Sequence, residues 1–84
     1  MNTTAIYEHS HYHYQIISRK ISSGQYQGVI LVLAFDEILY DPSVEITTSA
    51  TFKKPHAAEI EATVLVYELI ESGVIKTLLP VNVS

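Results

Sequence analysis

The sequence predicts an α+β fold: a three-stranded antiparallel meander, then one helix packed on one face (β-β-β-α), with a short apolar C-terminal tail. Three patterns carry this expectation. Residues 44–52 alternate apolar and polar side chains, the period of a half-buried strand. Residues 29–35 are an unbroken apolar run, as in a strand buried on both faces or covered by the helix on one face and a partner on the other. Beyond Pro55, apolar residues recur at helical spacing until Gly73.

The first strand is read from Ile6 to Ile21, a stretch rich in Tyr and Ile that lacks Gly and Pro. Strand periodicity places Tyr12, Tyr14 and Ile16 on one face and His9, His11 and His13 on the other. Ser22-Ser23-Gly24-Gln25 is a turn signal, with Gly24 free to take positive φ. Tyr26 to Phe35 is the second strand. Residues 36–43 read as a loop closed by Asp41-Pro42, because Pro42 lacks an N–H for a ladder and disfavours helix at Asp41. In the third strand Val44, Ile46, Thr48, Ala50 and Phe52 share one face, and Glu45, Thr47, Ser49, Thr51 and Lys53 the other.

The helix is expected over residues 55–72, with Pro55 suited to its first position and Gly73 to its stop. Ala58, Ala62, Leu65, Val66 and Leu69 form one apolar stripe; Ile60, Val64 and Tyr67 form a second on nearly the opposite side. One stripe suffices for a sheet, so the second needs another cover, either the C-terminal tail or a second copy of the chain. The tail, residues 74–84, is apolar, and reads as a fourth strand or as an arm docking on another subunit; Pro80 argues against a central strand.

At 84 residues the chain reads as a single domain, with a polar N-terminus expected to fray. A domain of this size buries roughly 60–65% of the surface its unfolded chain exposes, a small core that usually needs a staple. Cysteine is absent, so that staple is not a disulfide. Charged residues make up 17% of the chain and apolar ones 48%, against about 25% charged in ordinary domains. Self-association is therefore expected, with Ile60, Val64 and Tyr67 at a homodimer interface. The opening residues, Met1-Asn2-Thr3-Thr4, show no basic region followed by an apolar run, and the longest strongly apolar run, seven residues from Val29 to Phe35, is too short to span a bilayer as a helix, so a cytoplasmic protein is expected.

The chemistry-bearing residues are few. His9, His11 and His13 make an H-x-H-x-H pattern whose imidazoles, on one strand face, would converge on a metal ion or form a pH-sensitive surface. No Cys or G-x-S-x-G elbow supports nucleophilic catalysis. Asp36, Glu37 and Asp41 read as solvated loop acids, and the three glycines form no phosphate loop. No enzyme and no cofactor are expected. Lys53 and Lys54 stand where the third strand meets the helix, and two lysines beside a helix N-terminus are an anion-binding arrangement.

Over residues 12–72, the strands leading into a helix that starts beside Lys53-Lys54 resemble the end of a double-stranded-RNA-binding domain. That resemblance implies phosphate contacts through Lys53 and Lys54. The family's first helix has no counterpart here, Glu59 and Glu61 follow the lysines, and the net charge of −4 opposes a phosphate backbone. The order of sheet then helix, with Asp41-Pro42 before the third strand, also resembles the small antitoxin domains of the HicB type. The expected role is thus a small non-enzymatic interaction or assembly domain, with nucleic-acid or anion binding and metal binding as alternatives.

Overall fold

The computed structural model describes residues 4–80; the outermost residues of both termini read above lie outside the described ones. The elements run β1 (Tyr7–His9), β2 (Tyr12–Lys20), β3 (Tyr26–Phe35), β4 (Ile38–Phe52), α1 (Pro55–Ser72) and α2 (Ile75–Leu78). The strands form one antiparallel sheet in the order β1-β2-β3-β4, and α1 lies across one face of it.

The architecture is α+β, with four strands rather than three. The predicted first strand divides at Ser10 and His11, which take φ of 50° and 72° and turn the chain into a β1–β2 hairpin. Two consecutive positive φ angles are the geometry of a two-residue hairpin turn. With neither Gly nor Asn at the turn, the residues gave no signal for it. The predicted loop at 36–43 is likewise replaced by a two-residue turn, Asp36-Glu37, with Asp36 at φ 57°. Pro42 lies inside β4, where the register breaks. Val32 pairs with Val44 and Ala34 with Leu39, so residues 40–43 stand opposite Leu33 alone. A bulge on an edge strand is where a proline is tolerated within a sheet.

The central strand is β3, and its apolar run is explained by cover on both faces. Ile30 and Val32 face α1 and join the core with Tyr12, Tyr14, Ala62, Val66 and Ile70. Val29 faces away from the helix yet is fully buried. Its cover comes from the same chain: Arg19 on β2 and Glu45 on β4 meet at 2.6 Å across β3, on a diagonal that passes over Val29.

Along α1 the buried residues are Ala58, Ala62, Val66 and Ile70, four apart, with Leu65 and Leu69 packed at the side. The helix can lie close because Gly28 stands beneath it. A Cβ at Gly28 would sit 2.3 Å from the Ala58 carbonyl oxygen, 2.9 Å from the Ala62 Cβ and 2.9 Å from the Thr48 Cγ2. Beside this contact β4 bulges again, with residues 48–50 opposite Gly28. The buried Thr48 hydroxyl satisfies the ladder there, accepting from the Gly28 N–H (3.1 Å) and donating to the Ala50 carbonyl (2.9 Å). The bulge leaves Ala50 exposed, whereas strict alternation would bury it. Gly73 ends α1 at φ 82°, its N–H on the Ile70 carbonyl. The described part of the tail forms neither a strand nor a projecting arm: α2 turns back, and Ile75 and Leu79 are buried in the same core.

Gly28→Ala should cost about 3 kcal/mol in urea denaturation, the upper range for overpacking, because the atom it meets is backbone. Gly24→Ala meets open space and bears only the strain of its φ of 87°, about 1 kcal/mol. Equal losses in the two variants would contradict the close seat of α1.

Candidate interaction surface

The second stripe of α1 points to solvent. Ile60, Val64 and Tyr67 are 53%, 47% and 50% exposed, in consecutive turns opposite the buried one. Val64 and Tyr67, with Thr63 and Glu68, line a shallow apolar depression. The described part of the tail does not supply the cover, since Ile75 and Leu79 fill the core instead. The apolar surface continues toward the sheet edge: Tyr7 of β1, itself exposed, lies against Tyr14 with ring centroids 5.7 Å apart. Burial holds the Tyr14 hydroxyl pKa above its ordinary value, and Tyr67 and Tyr7 raise it further.

The three histidines do not share a face, so the predicted row is corrected. His11 occupies the β1–β2 turn at positive φ, which takes it out of the strand alternation. His9 pairs with Tyr12 and therefore shares the helix-facing side with Tyr12 and Tyr14. There its ring stacks on Tyr67 at 4.3 Å, and Nε2 lies 2.8 Å from the Glu71 carboxylate. His13 lies on the opposite face, 3.9 Å from Glu8. A strand must keep its period for alternate residues to converge, and the turn breaks it. Among the described residues no group of three or more His, Asp or Glu side chains is placed to hold a metal ion. What His9 does is pin the β1 hairpin to the C-terminal half of α1.

Lys53 and Lys54 occupy the bend between β4 and α1, both exposed. Lys54 is the N-cap and makes no side-chain cap bond. They stand at the opposite end of α1 from the acidic Glu68 and Glu71. A hollow of about 320 Å³ lies at that far end, where Ser10, His11 and Phe35 of the strand turns approach Glu71 and Lys76. It brings a base, an acid and a cation to one rim, but no pair of them is within bonding distance there.

No family model matches the chain, and no curated protein or solved structure matches it. No helix among the described residues is long and apolar enough to cross a membrane.

The open face of the sheet is organised around the ion pair over Val29. Arg19 donates twice to Glu45, at 2.6 and 3.4 Å, and the guanidinium holds the Glu45 carboxyl below its ordinary 4.5, through the hydrogen bonds first and the charge second. A carboxylate with a depressed folded pKa contributes stability above its unfolded value and loses it as pH falls through the folded one. An NMR titration should therefore place the Glu45 midpoint below that of an unpaired glutamate in the native chain and raise it in Arg19→Ala. An unshifted wild-type midpoint would contradict the pairing.

Proposed function

We propose that the chain is a small, non-enzymatic protein-interaction domain whose working surface is the outer face of α1. The observation that supports this reading is the half-exposure of Ile60, Val64 and Tyr67 on a helix whose other stripe already fills the core. A helix with one apolar stripe is complete once it lies on a sheet. Ile60 and Val64 lie in adjacent turns on the solvent side, and the exposed half of Tyr67, whose ring also stacks on His9, extends them; a contiguous apolar patch is how a protein-binding surface presents itself.

Covering the exposed halves of these three side chains would contribute roughly 2–4 kcal/mol. That corresponds to at best millimolar affinity, before the cost of immobilising two bodies. The apolar stripe alone therefore supports only a transient contact, and the groups around it decide what binds.

A photo-crosslinking residue in place of Val64 tests the reading in the source cells, with the same residue in place of Thr47 on the open sheet face as the control. A discrete adduct is expected from position 64 and none from position 47. No adduct at position 64, or the same adducts from both, would contradict it.

A further inference from the structure

The apolar stripe of α1 is bordered on one side by carboxylates and holds a third within it. Residues 55–72 contain four glutamates and neither Lys nor Arg. At helical spacing Glu61 and Glu68 fall about 60° and 40° from Val64, on the same side of the stripe, and Glu71 falls about 20° to the other side. All three are exposed. Glu71 touches His9, whereas neither Glu61 nor Glu68 has an ion-pair partner among the described residues. Glu68 and Glu71 also lie toward the C-terminal, negative end of the helix dipole, where the last turn carries no basic residue and a carboxylate is disfavoured. The charge on this face is thus poorly compensated within the chain.

This pattern decides between occupants. A second copy packed antiparallel about a twofold axis at Val64 would set Glu68 of one copy beside Glu61 of the other, within about one residue's rise along the axis, and would do so twice. A parallel twofold contact would set Glu71 against its own copy and the two helix dipoles side by side in the same direction. Both symmetric arrangements oppose like charges. A partner bearing cations opposes none. Its backbone must also arrive with its hydrogen bonds made, because α1 has satisfied its own and offers no edge on this face. A helix meets that demand.

Resting on the interaction reading above, we infer that the outer face of α1 binds an amphipathic, Lys- or Arg-bearing helix of another protein. The partner's apolar stripe lies on Ile60, Val64 and Tyr67, and its cations reach Glu61 and Glu68. Rim charges of this kind govern partner choice and salt dependence, while the apolar centre supplies the contact.

The test uses the full chain and two synthetic 18-residue amphipathic helices that share a leucine stripe, one flanked by lysines and one by glutamates. Fluorescence anisotropy at low salt should show binding of the lysine peptide only, weakened about tenfold or more by 0.5 M NaCl. A Glu61→Lys, Glu68→Lys variant should reverse the preference, and Val64→Asp should lose both peptides. Circular-dichroism melts keep the comparison to variants that retain the wild-type transition, which these exposed positions allow. Equal binding of both peptides, or an unchanged preference in the charge-reversed variant, would overturn the cationic partner. Sedimentation should show a monomer. A dimer dispersed by Val64→Asp would overturn the cationic partner while upholding the interaction surface. No peptide binding, together with a monomer, would overturn both.

Discussion

The approach of α1 to Gly28 sets the geometry of everything above the sheet. A helix normally stands off a sheet by the length of the side chains between them. Here the middle strand offers a hydrogen atom where a side chain would be, and the helix answers with Ala58 and Ala62. The small residues at this end seat the N-terminal half of α1 low. Toward the other end the side chains grow, through Val66 to Ile70 over Tyr12 and Tyr14. The order of residue sizes along one stripe thus orients the helix, and with that stripe seated, Ile60 and Val64 are left facing away from the sheet, while Tyr67 leans over β1 onto His9 with half of its surface exposed.

The same seat explains what holds the periphery. Ser18 of β2 donates to Glu59 (3.1 Å), and His9 of β1 meets Tyr67 and Glu71, so the flank of α1 over the β1–β2 edge is tied at both ends. On the other flank Leu65 and Leu69 pack at the edge of the core, and α2 and its C-cap add Ile75 and Leu79. Both flanks of the helix thus make contacts within the chain, whereas Ile60 and Val64 on its crest stay about half exposed. The crest combines apolar side chains with the carboxylates of Glu61 and Glu68, which have no ion-pair partner among the described residues, and the proposed binding surface rests on this combination. The apolar centre favours contact in general, and the acidic border disfavours contact with another copy of itself.

Much of this was legible in the residues. The helix bounds, its two stripes and its stop at Gly73 follow from period and from Pro and Gly chemistry, which act locally. The misreadings share one cause. The turns at Ser10-His11 and Asp36-Glu37 place Ser10, His11 and Asp36 at positive φ only because the strands on either side pair, and that pairing is not local. Once the first turn was missed, the alternation carried His9 and His11 into a row with His13 that the hairpin dismantles. The role of Gly28 was hidden for a similar reason. A glycine inside a strand signals a bulge or a close approach, and only the arrival of Ala58 and Ala62 from a distant part of the chain shows that here it does both.

The central claim is the orientation of α1 about its own axis, since the same rotation buries one apolar stripe and exposes the other. Nuclear Overhauser contacts to the Gly28 Hα protons measure it most directly. The account predicts strong contacts from the methyl groups of Ala58 and Ala62 and none from those of Ile60 or Val64. Contacts from Ile60 or Val64 to Gly28 would mean that the helix lies on its other stripe, and would contradict both the core and the proposed surface.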